Sequence, residues 1–454
     1  MEIDPKIFKD YDVRGSYPKE INYSVFEAIG KELTLYFKPK EIAIGRDNRE
    51  SSFELFSGMA NGFLSLGVDV LDLGLITTDM IYFYAGKHGA DLNIMVTGSH
   101  AQGENGFKIC QKGAIAISGL NGLYEIRDRL LKRKKFPFSR RKGEVRKKDI
   151  LEEWINHVLL FIDINKIKPF KIVVDTGNGM GGLVMPLIEK KLPGEFINLF
   201  LELDSRFPNH FPNPLIKENL SDIRKKIKET KADFGIAFDA DGDRVFFLDE
   251  KGRIVNATIL TAMIASAILK KNPGETILYN AVCGRIVPET IQKFKGKGVR
   301  VRVGHSLIKE YMREYNAIFA GEHSGHFYFR DNFYTDSGLI TFVKTLEFIS
   351  ESNKPLSQIV DDFSKYPQSG EINFVVEDKQ KIMKMIEKKY QDKASSIDWL
   401  DGISVWFPAW WFNVRPSNTE PLLRLNVEAD NQKLLKEKTE EIKKLILRLG
   451  GKIK

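Results

Sequence analysis

The sequence predicts an α/β protein: three related α/β domains with mixed sheets plus a C-terminal α+β domain, arranged around one central cleft. Three observations lead there. First, an apolar strand, a polar loop and a helix recur in E-I-A-I-G-R-D-N-R-E-S-S from Glu41, K-I-V-V-D-T-G-N-G-M-G-G from Lys171 and E-T-I-L-Y-N-A-V-C-G-R from Glu275. Second, A-D-L-N-I-M-V-T-G-S-H from Ala90 overlays A-D-F-G-I-A-F-D-A-D-G-D from Ala232 without gaps, setting Ser99 opposite Asp241. Third, the pattern changes after Gly370 to short strands and a long amphipathic helix. At 454 residues the chain is too long for one compact core. The expected divisions are 1–150, 151–250, 251–366 and 367–454.

Taken in order, Ser51 and Ser52 followed by Glu54 predict a capping box. Phe56, Met59, Ala60, Phe63 and Leu64 then recur at helical spacing as far as Gly67. The apolar run Ala257 to Leu269 is too short to span a bilayer and reads as a buried helix. N-A-I-F-A-G-E-H-S-G-H from Asn316 is a third apolar run ending in a polar loop. In the last domain, strands are expected at Glu371–Glu377, Gly402–Phe407, Trp411–Val414 and Leu422–Ala429, with a helix from Gln432 to Leu449. Ligands of α/β sheets gather at the carboxyl ends of strands, so the three polar loops are expected to face a common cleft.

Composition narrows the class. With 43% hydrophobic and 29% charged residues the chain is ordinary for a folded protein. The start M-E-I-D-P-K-I-F-K-D-Y carries acids and no apolar signal core, and Cys110 and Cys283 stand far apart in no metal spacing, so a reducing cytoplasm is expected. The net charge of +8 resides in Lys132 to Lys148, a local +9 that leaves the remainder near −1. A solvated connector is favoured there over a nucleic-acid surface. Small-molecule partners, no nucleic acid and no membrane are expected, with monomer and homodimer both left open.

Four loops carry chemistry. In F-D-A-D-G-D-R the alternating Asp239, Asp241 and Asp243 can converge on one hard cation such as Mg²⁺. An EF-hand fails because Arg244 stands where glycine is required and the flanks read as strands. An aspartyl nucleophile of the haloacid-dehalogenase type remains a rival, but three acids and an arginine suit a cage better. R-P-S-N-T-E-P with L-L-R-L offers Arg415, Ser417, Asn418, Thr419 and Arg424, the donors of a phosphate cradle. In G-E-H-S-G-H, Glu322 and Ser324 suit vicinal sugar hydroxyls, while its histidines are as readily structural. T-G-S-H holds Ser99 and His100 after a buried strand, with no Ser–His–acid triad in view.

Together these loops resemble the α-D-phosphohexomutase family, the phosphomannomutase/phosphoglucomutase enzymes. The match runs in order through F-K-D-Y-D-V-R-G, G-R-D-N-R-E-S-S, T-G-S-H, F-P-N-H-F-P-N-P, D-A-D-G-D-R, V-G-H-S, G-E-H-S-G-H and R-P-S-N-T-E-P. The resemblance implies a phosphoserine at Ser99 and Mg²⁺ on Asp239, Asp241, Asp243 and the phosphoserine. It also implies sugar contacts from Glu322 and Ser324 and a phosphate held by Arg415, Ser417, Asn418, Thr419 and Arg424. Two departures stand out: the usual T-A-S-H-N-P reads T-G-S-H-A-Q, and Asn418 replaces a frequent glycine.

The activity so implied interconverts hexose 1- and 6-phosphates through a sugar 1,6-bisphosphate, which also serves as activator. Arg14 and Arg244 would stabilise the moving phosphoryl group, Lys108 and then His305 would act as base, and His100 would orient the serine loop. Mannose and glucose phosphates are the expected substrates, since glucosamine enzymes typically carry Gln where His323 stands. Glucosamine phosphate is the alternative, and a non-catalytic sugar-phosphate sensor the alternative of another class.

Overall fold

A computed structural model describes residues 3–99, 103–417 and 422–454. The first sheet runs in the order Val13–Ser16, Glu104–Gln111, Leu92–Val96, Glu41–Arg46, Asp69–Leu75, Val145–Lys147, with Ile115–Ala116 beside Glu104–Gln111. Leu92–Val96, Glu41–Arg46 and Asp69–Leu75 are parallel, whereas Glu104–Gln111 returns antiparallel to Leu92–Val96. That return places Lys108 opposite Met95, four residues before Ser99. The second sheet orders Val245–Asp249, Phe234–Phe238, Phe170–Asp175 and Gly194–Leu199, the first pair antiparallel and the others parallel. The third is Lys297–Val301, Thr276–Asn280, Phe319–Gly321, Phe327–Phe329 and Thr335–Asp336. All three are mixed sheets with helices packed on them, as the repeated pattern requires. The fourth is antiparallel throughout, in the order Ser396–Asp398, Ile403–Trp406, Trp410–Pro416, Leu422–Ala429, Ile372–Val375, Lys452–Ile453.

The buried helix is Ala257–Lys271, whose apolar positions point inward on nearly every side. The first-domain helix Glu50–Ser65 buries Phe56, Met59, Ala60 and Phe63 as the stripe predicts, but its start differs. No capping box forms. Arg49 is the N-cap residue and its side chain makes no capping bond, Ser52 turns its hydroxyl to Asp47, and Glu54 accepts from the Tyr17 hydroxyl at 2.6 Å. Asp47 is buried and salt-bridged to Arg49, and it draws the serine hydroxyl away from the helix start. The basic stretch 132–148 is largely exposed, yet Arg133 and Arg141 pair with Glu32 and Asp69, and Val145–Lys147 closes the sheet edge. Both cysteines are buried and free.

The domains lock together through the cleft-side loops. Asp79, in the first turn of the helix Thr78–Lys87, accepts from Ser337 Oγ of the third domain at 2.6 Å and from Thr77. Burial pushes its carboxyl up to about 7 against the pull of these hydroxyls, with Asp243 and Asp336 adding to the rise. A raised folded-state pKa contributes stability that is complete below the unfolded value near ~4 and is lost as pH rises toward 7. Asp79→Asn is therefore expected to flatten the fall in thermal midpoint between pH 5 and pH 8, on the order of 2 kcal/mol of stability. Equal pH slopes in the two proteins would remove this account.

Candidate active site

The acidic loop joins Phe234–Phe238 to Val245–Asp249, so strands flank it on both sides. Asp239, Asp241 and Asp243 are at most 1% exposed, and carboxylate oxygens from all three lie within 4.8 Å of one another. The loop is clasped from two other domains. Thr78 donates its N–H to the Asp241 carbonyl at 2.9 Å and its hydroxyl to Asp241 Oδ2 at 2.7 Å. Gly242 at φ 74° packs on Thr77, and Gly338 lies against the Gly242 carbonyl, where an added Cβ would come within 2.7 Å. Asp241 Oδ1 and Asp243 Oδ1 are buried with no hydrogen-bond partner. Orphaned anionic oxygens in a dry site are the donors a hard divalent cation takes, so the trio fits Mg²⁺.

Two side-chain cations serve this cage. Arg244 forks onto Asp239 Oδ2 through Nε at 2.9 Å and Nη2 at 2.7 Å. Lys108, from the antiparallel strand of the first domain, reaches Asp241 Oδ2 at 2.9 Å and Asp243 Oδ2 at 2.6 Å. Although burial opposes it, these two carboxylates hold the Lys108 amine well above the usual lysine range. It meets the cage as an ammonium donor, and must leave both acids and give up a proton before it can act as a base. Burial lifts the Asp239 carboxyl to about 8 despite Arg244, with Asp243 and Asp241 adding repulsion. Asp241 is held well below the carboxylate range, burial being overcome by Lys108 and Thr78.

Ser99 follows the strand Leu92–Val96, is 4% exposed and takes φ 50°, a left-handed conformation that costs a non-glycine residue about 1 kcal/mol. Its surroundings impose that shape. The Ser99 N–H donates to Thr97 Oγ1 at 2.8 Å, Thr97 donates to Asp47 at 2.7 Å, and Arg49 donates to the Ser99 carbonyl. Arg49 lies over the Phe207 and Phe211 rings at 5.6 and 5.8 Å, tying F-P-N-H-F-P-N-P of the second domain to the serine. Gly98, where the resemblance has alanine, is demanded here: a Cβ would come within 2.4 Å of the Glu104 carbonyl oxygen. His100, Ala101 and Gln102 lie outside the described residues. Arg14 pairs with Asp12 at 2.7 Å, and this carboxylate, with help from Glu104 and Asp241, raises the guanidinium's pKa against the cost of burial.

His305 opens the helix His305–Glu314, its ring 5.6 Å from Tyr11 and 6.3 Å from His326. Burial, then Lys309 and Lys108, hold it well below the usual histidine range, as a neutral imidazole. His326, from G-E-H-S-G-H, has the opposite setting: Nδ1 lies 2.9 Å from Asp336 Oδ2, and Asp243 and Asp336 raise its pKa although burial opposes them. Lys309 braces the other Asp336 oxygen at 2.8 Å and sits 3.5 Å above the Tyr82 ring. Glu322 accepts from Asn280 at 3.3 Å and from the Tyr328 hydroxyl, while Ser324 Oγ is buried with no partner. In the last domain Arg415 and Arg424 face each other across paired strands, and Arg424 Nη2 reaches Ser417 Oγ at 3.3 Å. Asn418 and Thr419 lie outside the described residues.

Sequence reasoning missed Asp336, Lys309, Arg49, Thr78 and Lys379, whose ammonium donates to the Ser417 carbonyl at 2.9 Å. None lies in a motif that names its partner. His326 was within a quoted motif, but only the facing Asp336 separates it from a structural histidine.

Four signatures of one family match in order along the chain. They are "Phosphoglucomutase/phosphomannomutase, alpha/beta/alpha domain I" at residues 5–134, domain II at 152–252, domain III at 256–366 and the C-terminal domain at 371–445. The chain belongs to this family. It is accordingly a phosphohexomutase, an isomerase of carbohydrate metabolism. A protein of Methanocaldococcus jannaschii named "Phosphomannomutase" is 40% identical over 99% of both chains. "Phosphohexose mutases" of Xanthomonas campestris is 38% identical over 97% of this chain and 98% of its own. A crystal structure of a phosphoglucomutase/phosphomannomutase family protein from Burkholderia thailandensis superposes with a TM-score of 0.88 at 31% identity, covering all of both chains. Among the described residues no helix is long and apolar enough to cross a membrane.

Proposed function

We propose that this phosphohexomutase acts on mannose and glucose phosphates alike, with Ser99 as the phosphoryl carrier and Asp239, Asp241 and Asp243 holding Mg²⁺ beside it. The observation that carries the reading is the junction of Lys108 and Thr78 with Asp241, which brings the serine-bearing domain onto the acidic cage. A cation bound there would neutralise charge on the transferring phosphoryl group. The protein groups do the rest. A sugar hydroxyl attacks phosphorus, the P–O bond to Ser99 Oγ breaks, and the serine leaves as a hydroxyl after taking a proton. Lys108, Arg14 and Arg244 hold positive charge around the phosphoryl oxygens. His305 is the neutral ring available to take up a proton, although burial, Lys309 and Lys108 disfavour its charged form, and the Asp336-backed His326 suits proton delivery. The resulting sugar 1,6-bisphosphate turns end for end, and its other phosphate returns to the serine. The same bisphosphate added in trace would prime unphosphorylated enzyme.

At the far end, Arg415, Ser417 and Arg424, with Asn418 and Thr419, bind the spectator phosphate, and Glu322 and Ser324 hold the ring. The relatives named phosphomannomutase support mannose as one substrate. Glucose 1-phosphate incubated with Mg²⁺ and a trace of glucose 1,6-bisphosphate should yield glucose 6-phosphate, and mannose 1-phosphate should behave alike. Steady release of inorganic phosphate instead would make the protein a phosphatase. Arg415→Ala is expected to raise KM by about tenfold or more, with a smaller change in kcat, because a charged spectator contact is lost. An unchanged KM would take the loop out of the site.

A further inference from the structure

Glu371 stands where the phosphate loop's anion belongs. It precedes the strand Ile372–Val375, which pairs with Leu422–Ala429 and sets Asn373 opposite Arg424. The chain thus enters the last domain by delivering a carboxylate onto both loop arginines. Glu371 Oε2 accepts from Arg415 Nη2 at 2.9 Å, and Oε1 lies 3.4 Å from Arg424 Nη1. A carboxylate spread across two guanidinium groups presents the charge and oxygen spacing of one edge of a phosphate. It leaves donors unused: Arg415 Nε is buried with no partner. Lys379, at the start of the helix Lys379–Tyr390, adds a third cation through its bond to the Ser417 carbonyl.

The residue before Glu371 is a glycine. Gly370, immediately before, takes φ 70° and has open space where a side chain would lie. Gln368 and Ser369 are anchored to Glu428 and Val427 on the upstream side, which leaves Gly370 as the one unanchored link before the carboxylate among the described residues. His323 of the sugar loop feels the same charges: burial lowers its pKa, Glu371 counteracts this and Arg415 adds to it.

We propose that Glu371 is an internal competitor for the substrate's spectator phosphate, a proposal that rests on the phosphate-loop reading above. In the ligand-free cleft it neutralises Arg415 and Arg424; an arriving phosphate displaces it. Arg415, Arg424 and Lys379 together exceed Glu371 by two charges, enough to balance a phosphate dianion, while Glu420 of the same loop lies outside the described residues. Binding that is equally strong in substrate and transition state does not raise kcat, and a bisphosphate that must leave the loop to reorient is slowed by it. A tethered carboxylate that returns as the phosphate departs lowers that affinity without removing a donor.

The test uses the full-length protein with glucose 1-phosphate, Mg²⁺ and trace glucose 1,6-bisphosphate, and inorganic phosphate as competing probe. In Glu371→Gln, KM and the inhibition constant of phosphate are expected to fall together, roughly three- to tenfold, the range for removing one like charge from a half-exposed site. kcat should fall as well, because reorientation slows. A rise in either constant would make Glu371 a brace that orients the arginines, and constants unchanged within error would deny it any competing role; either result overturns the proposal. Arg415→Ala separates the two failures. If it leaves both constants unchanged, the loop reading itself is lost. If it weakens binding and Glu371→Gln does too, only the competitor role is lost. In the Arg415→Ala background the gain from Glu371→Gln should shrink, since the contested cation is gone.

Discussion

Replacing Ser99 by alanine is expected to lower mutase turnover by about four orders of magnitude or more, because the proposed carrier of the phosphoryl group is gone. Binding should survive, since neither the arginine loop nor the sugar loop is touched. The fold should survive too. Two hydrogen bonds at residue 99 run through its backbone, to Thr97 and Arg49, and alanine keeps both. Mass spectrometry supplies an independent readout: freshly purified protein should carry a phosphoryl group mapped to Ser99, and the alanine variant none. Ser99→Gly sharpens the point. It is expected to be equally inactive, yet as stable or up to about 1 kcal/mol more so, because glycine relieves the left-handed backbone. Near-normal turnover in either variant would end the carrier assignment.

Asp241→Asn is the second large effect. Asp241 is fully buried, bonded to Lys108 and Thr78, and keeps one oxygen without a partner. The amide removes a charged ligand from the cage, so kcat/KM should fall by about 10³-fold or more and the Mg²⁺ requirement should rise sharply. Stability separates this from misfolding. Three carboxylates crowd a dry site, and one of them, Asp239, is pushed up to about 8 by burial and by its neighbours' charge. Neutralising Asp241 relieves that repulsion while Lys108 keeps Asp243 at 2.6 Å. The metal-free variant should therefore melt within a few degrees of the parent. What should vanish is the rise in thermal midpoint on adding Mg²⁺, which in the parent reflects binding to the folded state alone. Because the cation must displace the proton on Asp239, the parent's half-saturating Mg²⁺ concentration should fall as pH rises toward 8. A variant that retains the Mg²⁺-induced stabilisation would place the cation elsewhere.

Much of the molecule was legible beforehand because strands and loops announce themselves locally. Val/Ile-rich runs ending in polar loops gave the mixed sheets, and the apolar run at Ala257 gave the buried helix. In the last domain the four expected strands are present, while Ser396–Asp398 and Lys452–Ile453 were not foreseen, being edge strands of three and two residues with exposed sides. The capping box at Ser51–Glu54 failed for a tertiary reason: Asp47 and Tyr17 claimed the side chains it needed. At the site, residues within motifs were readable and their bracing partners were not. Lys309 and Asp336 are chemically ordinary until packing removes water from both.

The amino-acid sequence alone determined which functional groups this protein owns: a serine after a buried strand, three alternating acids and an arginine-bearing loop, since such chemistry is covalent and local. Only the tertiary structure decided what those groups confront. Lys108 becomes the partner of Asp241 and Asp243, His305 a neutral ring and Glu371 the carboxylate shared by Arg415 and Arg424 because residues distant in sequence are packed together, and their charges then set one another's state.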